Sequence, residues 1–133
     1  MPMSNAIINI RNLRLRTFIG FNPEERTKKQ DVVLNIEIRY AVNAAALQDE
    51  VHEALNYKTI TKQVIKLVED GQFLLLERLV ADVLERCSAP PEVSFARVTI
   101  DKPHALRFAD SVSLSLEYHA ETSAQLTVLE KAS

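Results

Sequence analysis

Four side chains in this 133-residue chain have the type and setting to move protons or grip a polar ring: Lys102, Tyr57, Glu25 and Glu77. Lys102 stands in Asp101-Lys102-Pro103-His104-Ala105-Leu106-Arg107-Phe108-Ala109-Asp110, between two stretches of strand-like alternation. A tight hairpin needs far fewer residues. This segment carries two cations, a histidine and two carboxylates. Loops of that composition, held by rigid strands, are where chemistry concentrates. A lysine at a strand end beside proline can serve as a general acid or base. Taken alone, it reads more readily as a solvated charge that keeps the loop soluble.

Glu77 lies in the nearly continuous apolar run Phe73-Leu74-Leu75-Leu76-Glu77-Arg78-Leu79-Val80. Helical spacing sets it beside Phe73 and Val80, which predicts a partly buried carboxylate in need of donors. A helix N-terminus, Arg78 or Lys102 could supply them. So could a ligand presenting two N–H groups on one edge of a heterocycle. Glu25 falls in the polar loop Asn22-Pro23-Glu24-Glu25-Arg26-Thr27-Lys28-Lys29-Gln30, where the plain reading is a solvated charge. Tyr57 precedes a helical pattern, where tyrosine rings usually pack against the helix and a catalytic phenol is the rarer use.

These residues must be positioned by one domain, since the length suits a single core. Residues 1–119 read as that domain and 120–133 as a loosely ordered tail with weak periodicity in Leu126-Thr127-Val128-Leu129. Apolar content of 47% and charged content of 26% are ordinary for a globular protein. A formal charge of −2 gives no reason to expect nucleic acid or an anionic membrane as partner. The segment Met1-Pro2-Met3-Ser4-Asn5 lacks a charged leader, and no stretch is long enough to span a bilayer, so a cytoplasmic location is expected. The single cysteine, Cys87, excludes an internal disulfide and fits a buried, inert thiol. Gly20 and Gly71 are the only glycines, which excludes phosphate-cradling glycine loops. His52, His104 and His119 form no metal-binding pair, so no metal is expected. A Ser/His/Asp order is also absent.

Alternation predicts a strand over Ala6 to Arg16, with a phase change that implies a bulge near Arg11-Asn12. A second strand follows over Val32 to Tyr40. Asp49 to Asn56 suggests a short helical turn. Ile60, Val64, Leu67 and Val68 share a helix face, capped by Asn56 or Thr59 and ended by Gly71. Leu76, Leu79, Val80, Val83, Leu84 and Cys87 mark a second helix, stopped at Ala89-Pro90-Pro91. Strands over Val93 to Ile100 and Ser111 to His119 close the order β-β-α-α-β-β. This predicts an α+β fold: two antiparallel hairpins in one sheet, with two helices on one face. The open edges of such a sheet favour self-association.

Together, Leu13-Arg14-Leu15-Arg16-Thr17-Phe18-Ile19-Gly20, Ala54-Leu55-Asn56-Tyr57, Leu75-Leu76-Glu77-Arg78-Leu79 and Ile100 through Ser113 resemble the dihydroneopterin aldolase family. His104 through Ser113 is most similar to its epimerase branch. The resemblance covers about Ala6 to Tyr118 and implies the tunnelling fold (T-fold), with protomers joined at sheet edges into a barrel and two tetrameric rings stacked as a homo-octamer. It implies a pterin substrate, no cofactor and no metal. Lys102 resembles the acid/base lysine, Tyr57 the phenol contributed across a subunit interface, and Glu25 a loop glutamate that orders the site. Glu77 resembles the pterin anchor, with Leu76 beside it in the substrate-binding segment. Arg107, Arg16, Lys28 and Lys29 are candidates for holding a triphosphate, and His104 could orient a phosphate or hydroxyl or brace the loop. The implied activity is epimerisation at C2′ of dihydroneopterin triphosphate. The alternatives are aldolase cleavage that releases glycolaldehyde, or a pterin-binding oligomer without catalysis.

Overall fold

In the computed structural model, which describes residues 4–51 and 54–120, two long hairpins form most of one sheet. Strands β1 (Ser4–Ile19) and β2 (Gln30–Val42) pair antiparallel, as do β4 (Val93–Pro103) and β5 (Ser111–His119). Antiparallel pairing of β2 with β4 joins the hairpins. The expected α+β order is present, β1 and β2 outrun their sequence patterns at both ends, and β5 has the expected bounds. The predicted bulge is there: the β1–β2 register slips between Ile10 and Leu13, and Asn12 takes a positive φ of 55°. Asn35 accepts the Asn12 backbone N–H at 3.0 Å, so the slip leaves no orphan donor there.

Three elements depart from expectation. A fifth strand, β3 (Gln72–Phe73), pairs parallel with Phe18 and Ile19 at the end of β1, giving the order β3-β1-β2-β4-β5. The short helix α1 (Ala44–Leu47) is an addition, nucleated where the Asn43 side chain accepts the Ala46 N–H at 2.9 Å, while the turn expected over Asp49 to Asn56 is present where the Ala54 N–H donates to Val51 O at 3.2 Å. Strand β4 continues through Asp101, Lys102 and Pro103, which pair with Ser113, Val112 and Ser111. The presumed ten-residue loop is therefore only residues 104–110.

Helix α2 (Tyr57–Glu69) starts where Asn56 accepts the Thr59 N–H at 3.0 Å. Helix α3 (Leu76–Ser88) ends before the Pro90-Pro91 pair. The helices bury Ile60, Val64, Val68, Leu79, Val80, Val83 and Cys87 against the sheet residues Leu15, Val32, Leu34, Ile36, Ile38, Val98 and Ile100. Burial pushes the Cys87 thiol up to about 12, as expected of an inert buried cysteine. Thr17 is fully buried and donates its hydroxyl to Gly71 O at 3.3 Å, tying the end of β1 to the turn after α2.

The opposite sheet face is polar, following from the alternation in β2. Arg97 bridges Glu37 and Glu117, with nitrogen–oxygen distances of 3.7 and 2.6 Å. Phe95 is buried on this face beneath the guanidinium groups of Arg39 and Arg97 and the edge of His119. Most of β1 has a neighbour on one side only, and β5 is the other open edge. The tail expected from Ala120 lies, from residue 121 on, outside the described residues. No described helix is long and apolar enough to cross a membrane.

Candidate active site

One end of the sheet gathers the chemistry. There the end of β1, the start of β2 and the end of β4 converge, with the β1–β2 loop folded over them. Lys102 shares the helix-side parity of Ile100 in β4. Its Nζ donates to Glu25 Oε2 at 2.6 Å, and only 15% and 22% of the two side chains are exposed. Two residues that are 77 positions apart in the chain thus form a charge-assisted hydrogen bond with little water around it.

The surroundings hold Glu25 in place. The Asn22 carbonyl accepts the N–H groups of Glu25 and Arg26, at 3.0 and 3.2 Å, which closes a tight turn after Pro23. Gln30 bridges inward: its Nε2 donates to Ile19 O at 2.7 Å and to Glu25 Oε2 at 3.2 Å. Gly20 makes the space. Its φ is 127°, and a Cβ there would lie 2.2–2.5 Å from the Glu25 carboxyl group. The Gly20 N–H donates to Phe73 O at 2.9 Å, so β3 pins this backbone from the other side. Spacing gave no sign of Gln30 or of this use of Gly20. The hydrogen bond from Lys102 is the main cause that holds the Glu25 carboxyl below its usual range; burial opposes it and Gln30 reinforces it. Glu25 is therefore held as a carboxylate in direct contact with the Lys102 amine.

Beside the pair opens a cleft of about 260 Å³, lined by Phe18, Gly20, Glu25, Arg26, Gln72, Phe73 and Leu74. Phe18, Phe73 and Leu74 offer apolar surface to a flat ring, and Glu25, Arg26 and Gln72 offer it polar contacts.

The other candidates stand apart from this pair within the protomer. Glu77 is exposed in the first turn of α3, without a hydrogen-bond or ion-pair partner among the described residues. The partly buried carboxylate expected from spacing is corrected here: Phe73 belongs to β3 and is not a helical neighbour of Glu77. Nor do the suggested partners reach it, since Arg78 pairs with Asp82 at 2.9 Å and Lys102 with Glu25. Leu76, the first residue of α3, is half-buried against the core. Tyr57 opens α2 with 48% of its surface exposed and makes no hydrogen bond to Lys102, Glu25 or Glu77. His104 takes a left-handed φ of 63° just after β4. Arg107 is exposed, its guanidinium 5.4 Å from the Phe108 ring. Among the described residues no group of three His, Cys, Asp or Glu is placed to hold a metal.

Residues 8–117 match the sequence profile of FolB, dihydroneopterin aldolase. The chain belongs to the dihydroneopterin aldolase (FolB) family. It is 48% identical over 118 residues to the dihydroneopterin triphosphate 2′-epimerase of Escherichia coli (strain K12), covering 89% of this chain and 98% of that protein. Identity to the dihydroneopterin aldolase of the same strain is 32% over 111 residues, or 84% of this chain and 91% of the relative. The crystal structure of E. coli dihydroneopterin aldolase in complex with neopterin superposes with a TM-score of 0.78 at 32% identity, covering 85% of this chain and 98% of that one. The curled five-stranded sheet with helices on one face is thus the family's T-fold. The similar proteins are enzymes, and so is this family member.

Proposed function

We propose that this chain epimerises C2′ of 7,8-dihydroneopterin triphosphate by cleaving and remaking the C1′–C2′ bond. The observation that carries this reading is the Lys102–Glu25 contact of 2.6 Å beside a cleft that mixes aromatic and polar walls. The higher identity to an epimerase, 48% against 32% to an aldolase, supports the choice of reaction.

The substrate ring supplies the electron sink. In a 7,8-dihydropterin the N5=C6 imine lies next to C1′. Removing the 2′-hydroxyl proton lets the C1′–C2′ electrons flow into the imine, giving an enamine and an aldehyde. Lys102, coupled to Glu25, carries that proton and returns it, and Tyr57 from a neighbouring subunit assists at the carbon. Re-addition to the opposite aldehyde face inverts C2′. Departure of the aldehyde would make the same site an aldolase, the reaction that the 32%-identical relatives are named for.

Glu77 is the proposed pterin anchor. Its carboxylate, exposed and without a partner among the described residues, would accept the 2-amino and N3 hydrogens together. Leu76 lies against the ring, and His104 and Arg107, on the loop after Lys102, complete the substrate-binding set. Such a site needs more than one subunit. The open edges of β1 and β5 and the exposed Leu47, Val51, Leu74, Leu75 and Phe108 fit self-association, here taken as a cytoplasmic homo-octamer of two stacked rings.

The test separates binding from turnover. Lys102→Ala should bind neopterin with an affinity near that of wild type and lose turnover by at least about a hundredfold, a typical contribution of a general acid/base. Glu77→Gln should lose binding. Full turnover by Lys102→Ala would refute the assignment, and wild type that binds pterin without converting it would make the oligomer a binding protein only.

A further inference from the structure

We infer that the cleft between Arg14, Arg16 and His104 seats the substrate's triphosphate, with Arg14 as its principal cation. The inference rests on the reading above that the substrate carries a triphosphate, and it assigns residues to a job for which the resemblance offered four scattered cations and a histidine. The cleft is about 330 Å³ and opens on the polar face of the sheet, where Arg14 lies across from Val33 and Arg16 across from Asp31.

Its charges are unequal in their commitments. Arg14 is exposed and has no ion-pair or hydrogen-bond partner among the described residues. Arg16 is held in place, with its Nη2 donating to Lys29 O at 3.0 Å and its Nε 3.4 Å from Asp31 Oδ1. A guanidinium has five donors, so this one keeps others free while its position is fixed. Asp31 offsets one of the two cations, which leaves a net positive cleft. By contrast, Lys29 donates to Glu69 O at 3.0 Å, and the Arg107 guanidinium lies by the ring of Phe108, which is 94% exposed.

The cleft also lies where the substrate chain must go. The triphosphate is esterified to C3′, one carbon beyond the carbon that inverts. Lys102 belongs to the helix-side face of β4, and His104 lines the cleft on the other face. Only Pro103 separates them. With C2′ held at Lys102, the phosphates reach the cleft by passing over the end of β4 at Pro103 and His104. The left-handed backbone of His104 turns the chain at that point, an uncommon conformation for a residue other than glycine. Anchoring the phosphates there would retain the cleaved aldehyde for re-addition, which is the difference between epimerase and aldolase.

The experiment titrates inorganic tripolyphosphate into the purified full-length protein by calorimetry, for wild type, Arg14→Gln, His104→Asn and the charge-matched control Lys66→Gln on α2. Arg14→Gln should weaken binding about tenfold or more, as expected for the loss of charge-assisted hydrogen bonds. His104→Asn, which tolerates the same backbone, should weaken it less, and Lys66→Gln should not. In parallel, the ratio of kcat/KM for the triphosphate to that for unphosphorylated dihydroneopterin should fall about tenfold in Arg14→Gln. Tripolyphosphate affinity equal in Arg14→Gln and Lys66→Gln would overturn the site even if epimerisation is observed. Arg14-dependent affinity without pterin turnover would support the site and count against the proposed reaction.

Discussion

Gly20→Ala should destabilise the protein chiefly by evicting Glu25. A Cβ at this position lies 2.2–2.5 Å from the Glu25 carboxyl group, closer than real contacts allow, at a φ of 127° that side chains avoid. Two costs add in the wild-type background. Backbone strain is about 1–3 kcal/mol. Displacing Glu25 from Lys102 forfeits a charge-assisted hydrogen bond, about 1.5–3 kcal/mol for a pair as little exposed as this one. In a Glu25→Ala background the carboxyl group is already gone, and only the strain remains. A double-mutant cycle by urea unfolding, at one fixed protein concentration, should therefore give a coupling of about 1.5–3 kcal/mol between the positions. An equal cost of Gly20→Ala in both backgrounds would refute the reasoning and make Gly20 a backbone requirement only.

The lowered Glu25 carboxyl predicts a pH dependence. Because the folded state holds the proton less tightly than the unfolded chain, the stabilisation is complete above the ordinary carboxyl value of 4.5 and is lost as pH falls through the lower folded value. The difference in Tm between wild type and Glu25→Gln should thus shrink on acidification, and a difference that grows would contradict the sign. Asn56→Ala removes the acceptor for the Thr59 N–H and should cost about 1 kcal/mol in unfolding experiments while lowering turnover by loosening Tyr57 at the helix start. Cys87, fully buried with its thiol pushed up to about 12, should resist a thiol reagent in native buffer and react only on unfolding.

The legible parts of this fold are those in which one face is buried and the other is wet. Val32 to Tyr40 alternates because β2 is central, with the core on one side and the Glu37, Arg39 and Arg97 charges on the other. The Arg11-Asn12 bulge could be read because a one-residue slip moves Leu13 and Leu15 onto the phase that keeps them inward. Strand β3 could not be read: two residues in a parallel pair have no period, and Phe73 blended into the apolar run ahead of α3. That same blending put Glu77 in the wrong company. At the site, residue types pointed to Lys102 and Glu25 separately, but a contact across 77 positions has no spacing signature. Gly20 contributes by lacking a side chain, and Gln30 by a bridge between backbone and carboxylate, neither of which leaves a pattern in the chain.

The most direct test of the central claim is product partition. Purified protein is incubated with 7,8-dihydroneopterin triphosphate and, separately, with the unphosphorylated compound, and the oxidised pterins are resolved by chromatography. The triphosphate should be converted mainly to the threo (monapterin) isomer, with little 6-hydroxymethylpterin. Dominant 6-hydroxymethylpterin would show that the aldehyde escapes and that the chain is an aldolase, contradicting the proposed retention and re-addition at C2′.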